Sequence, residues 1–331
     1  MSCSNSISSL LRQEAAGLYC PQGDFYIDPQ KPVQRALITH GHSDHARPRM
    51  QHYLTSESGR PIVQERVGSS ARVEGIPYGQ SLKIKDVRVS FHPAGHVLGS
   101  SQIRIEYKGF VCVHAGDYKT EADASCQAFE LLPCNQFITE STFALPVYRW
   151  EASASIFSEI NKWWKENQAN GITSVLYAYA LGKAQRVLAG VDASIGPIGV
   201  HASVERFNRH YREQGYLVPD TIQASRNTAE HFAKGGLIIA PTSTQDSSWL
   251  RQFKPYAQAF ASGWMAVRGL RRRRALDRGF VLSDHVDWKG ITETIQATGA
   301  EHIGVCHGYS DALVRWLKEH EGLNAKDLSI G

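Results

Sequence analysis

The chain has 331 residues, of which 42% are hydrophobic and 21% charged, a balance typical of a globular protein with a sizeable core. A net charge of +4 and a pI near 8.7 permit an acidic partner such as nucleic acid without requiring one. No segment approaches the roughly 20 apolar residues of a membrane-spanning helix, and the first residues lack a signal-peptide pattern, so we expect a cytoplasmic protein with no membrane partner.

The cysteines support this expectation because none of them forms a C-x-x-C pair, which indicates reduced, structural thiols. The six are Cys3, Cys20, Cys112, Cys126, Cys134 and Cys306.

Two short strands are predicted early in the chain, at residues 25–29 and 36–39. The second leads directly into His40-Gly41-His42-Ser43-Asp44-His45, which places four possible metal ligands within six residues. In an extended segment the side chains of His40 and His42 point the same way. We expect the chain to turn into a helix near Asp44 and His45, which can then face a second ion.

Imidazole nitrogen together with carboxylate oxygen suits zinc, manganese or iron better than calcium or magnesium. A polar loop rich in histidine is the alternative interpretation. Four such side chains packed together would repel one another or remain unsatisfied without a cation, so a metal site is the better interpretation.

Further strands are predicted at 81–84 and 87–91, followed by a hairpin of 101–107 and 110–113 around Lys108-Gly109. His96 lies between Gly95 and Gly99, which let the backbone come close and aim the imidazole. His92 is the rival candidate ligand, but it precedes a proline.

Two carboxylates follow predicted strands. Asp117 comes after the strand at 110–113 and a glycine, where it is well placed to bridge two cations. Glu140 ends a strand at 136–140 and is followed by two hydroxyl side chains. Taken singly, each is explained equally well as a turn or helix-capping residue.

From about residue 147 the pattern alternates between helix and strand, which predicts a small α/β lobe. Helices are expected at 152–167, 202–212 and 244–252, and strands at 172–180, 195–201, 236–241 and 257–261. The turn at Gly182 and Lys183 opens a basic helix and could hold a phosphate, although by itself it indicates only a structural turn.

A basic stretch follows, with six arginines within residues 268–278. A solvated surface is the usual explanation of such a run. Beside a metal site it is better interpreted as a surface for a phosphate backbone, because arginine makes bidentate phosphate contacts. The candidate contacts are Arg268, Arg271, Arg272, Arg273 and Arg274.

Two late histidines also follow predicted strands. His285 comes after the strand at 279–282, and His307 after the strand at 303–306, with helices expected at 288–298 and 310–321. If the strands are parallel, both histidines lie at the same sheet edge as the earlier ligands. Singly, each could be an ordinary histidine at a strand end.

Together these motifs resemble the metallo-β-lactamase fold and its β-CASP nuclease branch. The matching strings are H-x-H-x-D-H, T-E-S-T-F, A-L-G-K-A-Q, S-x-H-x-D and V-x-H-G. The resemblance implies an α/β protein, with an αββα sandwich formed by residues 1–144 and 263–331. A short β-CASP α/β domain, residues 145–262, is expected to be inserted into it.

The resemblance also implies a ligand set for two divalent metal ions, zinc first and manganese second. One ion would bind His40, His42, His96 and Asp117, and the other Asp44, His45, His307 and the shared Asp117. Asp28 would orient a histidine ligand, and a hydrogen-bonded pair of Glu140 and His285 would assist the leaving group. The ions would generate a bridging hydroxide that attacks the scissile phosphate.

Longer strings, including T-E-S-T-F-A-L-P-V-Y-R-W and L-S-D-H-V-D-W, are similar to bacterial ligase-associated DNA exonucleases. This implies a DNA exonuclease in DNA repair, with DNA favoured over RNA and functional association with a DNA ligase and a helicase. A histidine at position 307 is commoner in RNA-acting members of the branch, so an RNA 3′-processing or decay nuclease is the alternative.

Two other function classes compete with a nuclease. A small-molecule metallo-hydrolase, such as a thioesterase or lactonase, would need neither the Glu140–His285 pair nor the arginines. A catalytically inactive binding subunit would be expected to have lost some of the ligands, whereas this chain carries the full set.

Overall fold

The computed structural model describes residues 9–267 and 276–328. These residues form a mixed α/β protein with three sheets, in agreement with the expected class. The chain divides into two compact units. The first unit comprises Met1–Ala122, Cys126–Arg149 and His285–Gly331, and the second comprises Asp123–Ser125 and Trp150–Asp284.

The strands of the described residues are β1 Arg12–Glu14, β2 Gly17–Cys20, β3 Phe25–Ile27, β4 Arg35–Leu37, β5 His52–Ser56, β6 Val73–Ile76, β7 Ser81–Ile84, β8 Val87–Pro93, β9 Ser101–Tyr107, β10 Phe110–His114, β11 Gln136–Ser141, β12 Thr173–Tyr177, β13 Ile198–Val200, β14 Ile222–Gln223, β15 Leu237–Ala240, β16 Tyr256–Ala261, β17 Arg278–Phe280, β18 His302–Gly308 and β19 Asn324–Asp327. The α-helices are α1 Arg60–Val67, α2 Ser153–Ala169, α3 Lys183–Gly190, α4 Ala202–Glu213, α5 Ser248–Arg251, α6 Trp288–Thr298 and α7 Ser310–His320.

The first unit contains two mixed sheets. In one, the order is β1-β2-β3-β4-β5-β6, antiparallel up to β3 and parallel from there on. In the other, the order is β19-β18-β11-β10-β9-β8-β7, parallel from β19 to β10 and antiparallel beyond. The predicted β9–β10 hairpin turns at Lys108 and Gly109, both at positive φ, which matches the right-handed twist of the strands.

These two sheets bury a common core. Phe25 and Ile27 of β3 pack with Val89, Phe91 and Ile103 of β8 and β9, and all five are almost fully buried. Burying one such side chain contributes about 1.5–3 kcal/mol. Helices cover the outer faces, α1 on the first sheet and α6 and α7 on the second.

The direction of the strands concentrates polar side chains at one place in the first unit. Strands β10, β11 and β18 are neighbours and parallel, so their carboxyl ends share one sheet edge. Asp117 follows β10, Glu140 is near the end of β11, and His307 is near the end of β18. Three of the predicted site residues, Asp117, Glu140 and His307, therefore lie at one edge of this sheet.

The second unit is built on one parallel sheet, in the order β14-β13-β15-β12-β16-β17. Helices α2, α3 and α4 pack on one face, and the other face is covered by a separate apolar cluster around Phe232 and Phe253. Strands buried on both faces explain the near-continuous apolar runs. Strand β17 pairs with β16, so this sheet continues past residue 262, the expected end of the inserted domain.

Some elements differ from the sequence prediction. The helix expected near Asp44 and His45 is wrong: the backbone N–H groups of His45 and Ala46 both bond to the carbonyl of His42 and form a turn. The helix predicted at 244–252 is only one turn, α5. The sequence did not predict strands β1, β2, β5, β6, β14 and β19 or helix α1, because each is too short to show a clear apolar periodicity. Among the described residues, no helix is long and apolar enough to cross a bilayer.

Candidate metal centre

Three histidines and one aspartate of the first unit meet at a single point. The Nε2 of His40 and the Nδ1 of His42 are 3.0 Å apart, and the Nε2 of His96 is 3.2 Å from that Nδ1. The Oδ2 of Asp117 lies 3.6 Å from the Nε2 of His40 and 3.8 Å from the Nε2 of His96. A tetrahedral zinc site with bonds of about 2.0–2.1 Å places its ligand atoms roughly 3.3 Å apart. These four donors therefore fit one divalent cation.

A second group of donors surrounds His45. Its Nδ1 is 2.8 Å from the Oδ2 of Asp28, so its Nε2 is directed the other way, 3.4 Å from the Oδ2 of Asp117 and 3.7 Å from the Oδ2 of Asp44. This buried Nε2 has no hydrogen-bond partner in the part of the chain that the structure describes. Burying a ring nitrogen without a partner costs free energy. A second cation at this position would provide the partner.

His307 is the remaining predicted ligand. Its imidazole stacks on that of His45, with 5.2 Å between the ring centroids, and it is exposed, as is Asp44. Both residues also line a cavity of about 610 Å³ together with Asp28, Cys306 and Ser310. The side of the cluster at His45 is therefore accessible from solvent, whereas His40 is completely buried.

The titration of these groups reflects their proximity. Burial, and then the charge of His45, lower the pKa of His40 well below its usual value. Burial also lowers the pKa of His45, but the carboxylates of Asp117 and Asp28 outweigh burial and raise this pKa well above its usual value. Because histidine binds a metal ion in its neutral form, this raised pKa would make metal binding at His45 dependent on pH.

Neighbouring charges change the pKa of Asp117 in the opposite direction. Burial raises the pKa of its carboxyl group, but the charges of His45 and His285 outweigh burial and hold the pKa well below its usual range. A carboxylate that stays ionised and lies between two groups of imidazole nitrogens has the chemistry of a bridging metal ligand.

Asp28 contacts Thr39 and the candidate ligand His45. Its Oδ1 accepts the backbone N–H of Thr39 at 2.9 Å, and its Oδ2 accepts the Thr39 hydroxyl at 2.5 Å and lies beside the Nδ1 of His45. These contacts set the orientation of the His45 ring, as is common for groups behind metal-binding histidines. Asp28 itself has φ = 42°, a left-handed conformation that tight local contacts must maintain.

Glu140 and His285 form a pair at the edge of the cluster. Glu140 is fully buried, and its Oε1 accepts the backbone N–H of Tyr118 at 2.8 Å. The Nδ1 of His285 is 2.8 Å from the Oε2 of Glu140 and 4.0 Å from the Oδ2 of Asp117. The Glu140 carboxylate thus fixes the orientation of the His285 ring, which is partly exposed beside the candidate metal ligands.

His92, the rival to His96, lies elsewhere. Its ring nitrogens are 2.9 Å from the hydroxyl of Ser90 and 3.1 Å from a carboxylate oxygen of Glu130. It is not among the described residues that meet at the candidate metal centre.

The structure contradicts the predicted phosphate contact of Lys183. This residue is 3% exposed, and its Nζ lies 2.9 Å from the Oδ1 of Asp284, which is also buried. Arg186 of the same helix α3 contacts Asp284 and Asp123. The basic start of this helix therefore neutralises buried carboxylates and does not present charge to solvent. The candidate contacts Arg268, Arg271, Arg272, Arg273 and Arg274 lie outside the described residues.

Three residues at this site were not predicted: Thr39, His114 and Ser141. Thr39 connects Asp28 to His40, with its hydroxyl 3.1 Å from the Nδ1 of His40. The Nδ1 of His114 accepts the backbone N–H of Gly116 at 3.1 Å, next to Asp117, and burial lowers the pKa of His114 to about 4. Thr39 precedes the motif that begins at His40, and Ser141 lies within T-E-S-T-F, which was an available signal, but nothing in the sequence marked His114.

No family model matches the chain. Similar proteins include a probable DNA ligase from Opitutus terrae, 27% identical over 93% of this chain and 30% of that protein. The endoribonuclease YSH1 of Gibberella zeae is 28% identical over 56% of this chain and 22% of that protein, and that of Candida albicans is 32% identical over 37% and 14%. The chain thus spans less than a third of the length of these relatives.

Among solved structures, a protein of unknown function from Enterococcus faecalis has a similar fold, with a TM-score of 0.60 over 90% of this chain and 79% of that chain at 12% identity. The similar proteins thus include one named as a DNA ligase and others named as endoribonucleases, and the histidine–aspartate cluster of this chain could hold a metal ion.

Proposed function

We propose that this protein is a two-metal phosphodiesterase that acts as a DNA exonuclease in DNA repair. One observation carries the proposal: the Oδ2 of Asp117 lies within 4.0 Å of a ring nitrogen of each of four histidines. These are His45 at 3.4 Å, His40 at 3.6 Å, His96 at 3.8 Å and His285 at 4.0 Å. A single carboxylate oxygen in this position is suited to two cations at once.

In the proposed site one ion is held by His40, His42, His96 and Asp117, and the other by Asp44, His45, His307 and Asp117. Zinc is the first choice and manganese the second, since both accept this mixture of imidazole and carboxylate. When bound, such a pair supplies an activated water and neutralises the charge that develops on a phosphate. The burial of His40 and the exposure of Asp44 suggest that substrate approaches from the side of the second ion.

The protein supplies proton transfer through Glu140 and His285. Because the Nδ1 of His285 is engaged by the buried carboxylate, the ring is held in one orientation and its other nitrogen can protonate the leaving oxygen. A thioesterase or lactonase has no need of this second carboxylate–histidine pair, which favours phosphodiester chemistry.

The proposed architecture is an αββα sandwich with a short β-CASP domain inserted into it. Its support is the pair of sheets that share one core and carry helices on their outer faces. The parallel sheet of residues between Trp150 and Asp284 forms the inserted part.

DNA is the proposed substrate because the similarity to the probable DNA ligase extends over 93% of the chain, against 56% for the YSH1 protein of Gibberella zeae. That ligase-named protein carries its matching region within one longer polypeptide, which supports a functional association with a DNA ligase, and we propose a helicase as a further associate. An RNA 3′-processing or decay nuclease is the second candidate, favoured by the endoribonuclease names of the other relatives.

A cleavage assay tests these proposals. Metal-free protein is supplied with zinc or manganese and given one sequence as DNA and as RNA, single- and double-stranded, labelled at the 5′ or the 3′ end. We expect stepwise release of nucleotides from DNA that stops on chelation. Faster turnover of the RNA would support the second candidate, and hydrolysis of a thioester without cleavage of any nucleic acid would contradict both.

A further inference from the structure

His307 occupies an irregular position in strand β18. The register between β11 and β18 pairs Glu140 with Cys306 and then Ser141 with Gly308, so His307 is an extra residue without a partner on β11. Its φ is 55°, a left-handed conformation that a residue with a Cβ seldom adopts. Together these features define a β-bulge, which bends a strand and redirects a side chain.

The bulge determines where the His307 imidazole points. In a regular strand, successive side chains alternate between the two faces of the sheet. The extra residue breaks this alternation at the strand end, and the His307 ring stacks on the ring of His45, 5.2 Å away. A strained backbone of this kind persists only where neighbouring contacts hold it.

Ser141 provides these neighbouring contacts. Its buried hydroxyl donates to the carbonyl of His307 and lies 3.2 Å from the carbonyl of Cys306. Its own carbonyl accepts the backbone N–H of Tyr309 at 2.9 Å. One serine therefore contacts the backbone on both sides of the bulge.

Gly308 makes this close approach possible. Its φ is 79°, and a Cβ at this position would lie 2.4 Å from the carbonyl oxygen of Ser141. Only glycine accommodates both the conformation and the contact. Ser141 and Gly308 thus form a matched pair across the bulge.

We infer that Ser141 is a positioning residue for His307: its hydroxyl holds the bulge that directs the imidazole of His307 toward the second ion. The inference rests on the proposed function, because it concerns a ligand of the proposed second ion. Ser141 itself touches neither ion nor substrate in this assignment. Its role is to keep the second ion bound, and the first ion does not depend on it.

The test is to measure zinc binding to the full-length protein by competition with a chelating indicator, together with metal content after dialysis. In Ser141→Ala we expect the second ion to bind about 10–100-fold more weakly, while the affinity for the first ion changes by less than about threefold. Ser141→Thr, which keeps the hydroxyl, should restore much of the loss. Thr142→Ala, the loss of a hydroxyl one residue further on, should bind both ions as the wild type does.

A double-mutant cycle separates positioning from general destabilisation. His307→Ala alone should lower the affinity for the second ion. Adding Ser141→Ala should lower it little further, since both changes remove the contribution of the His307 imidazole. If Ser141→Ala does not fold, as judged by circular dichroism, Ser141→Cys keeps the volume with a weaker donor and should show a smaller loss of the same ion.

Unchanged affinity for the second ion in the folded Ser141 variant would overturn the inference, as would equal loss of both ions. Additive losses in the cycle would also overturn it. A wild-type protein that binds a single ion would instead contradict the proposed two-ion function, so the two failures are distinguishable.

Discussion

The Nδ1 of His285 lies 2.8 Å from the Oε2 of Glu140, although 145 residues separate them in the chain. The carboxylate is fully buried, and its other oxygen is bound to the backbone of Tyr118. Contacts of this kind hold an imidazole ring in one orientation. The His285 ring is therefore fixed beside Asp117, as the proposed proton transfer requires.

Loss of this pair should slow catalysis without removing metal. We expect Glu140→Gln and His285→Ala each to lower kcat by about 10²–10⁴-fold, with metal content unchanged. The double variant should be little worse than either single one, because the two residues act together. Steady-state cleavage of labelled DNA, with metal analysis of the same samples, measures this.

Glu130→Gln is the matched control, because Glu130 forms a similar pair with His92 away from the cluster. It should retain wild-type kcat. A Glu140→Gln variant that is equally active would exclude the proposed role of the buried pair.

Removal of a ligand should abolish activity and reduce metal binding together. We expect His42→Ala and Asp117→Ala to lose essentially all cleavage, because His42 is central to the first group of donors and Asp117 belongs to both groups. Metal content should fall more in Asp117→Ala than in His42→Ala. Elemental analysis and cleavage assays measure the two effects.

His92→Ala serves as the control for these ligand variants, because its ring contacts Ser90 and Glu130 instead of the cluster. It should retain activity and metal. Wild-type cleavage by either ligand variant would show that the site has been assigned to the wrong residues.

Lys183 should contribute to stability and not to nucleic-acid binding. Its ammonium lies beside the buried Asp284, so Lys183→Met removes one of the cations that neutralise that carboxylate. Breaking a buried ion pair costs up to about 3–5 kcal/mol, which denaturant unfolding would detect. The exposed Lys162→Met should change the free energy of unfolding by at most about 0.5 kcal/mol.

The Lys183→Met variant also tests whether the turn at Gly182 and Lys183 contacts a phosphate. If Lys183→Met were as stable as the wild type but bound DNA more weakly, the original prediction of a phosphate contact would be correct after all. We expect the salt dependence of DNA binding to be unchanged.

The arginines at 271–274 are expected to contact the phosphate backbone, a prediction that depends on the sequence alone. Replacing all four with glutamine should weaken DNA binding and make log Kd less dependent on log salt, since each lost phosphate contact lowers the slope by about 0.7–0.9. Chemistry on bound DNA should slow less than binding weakens. Fluorescence anisotropy at several salt concentrations, with single-turnover cleavage, measures both.

The exposed Lys83 and Lys108 lie on the first unit and offer a comparison of basic residues without a proposed substrate contact. Their double replacement by glutamine should leave the salt slope close to that of the wild type. An unchanged slope in the arginine variant would assign those arginines to an ordinary solvated surface.

The sequence alone predicted the elements that depend on neighbouring residues. The hairpin at Lys108-Gly109 and helices α2, α4, α6 and α7 were predicted because turn residues and apolar periodicity act over a few neighbouring residues. The grouping of His40, His42, Asp44 and His45 was likewise visible, because metal sites require several donors close together and this motif supplies them within one turn.

Tertiary structure decided what each side chain faces. Asp117 follows β10 of the second sheet, whereas His45 follows β4 of the first sheet and His96 follows β8. Only the packing of these separate elements brings the Asp117 carboxylate within 3.4 Å of His45 and 3.8 Å of His96. Lys183 is buried because Asp284 folds against it from 101 positions away, and His307 reaches His45 because Ser141 of another strand holds its bulge. Such contacts depend on long-range packing, and no pattern within a short stretch of sequence encodes them.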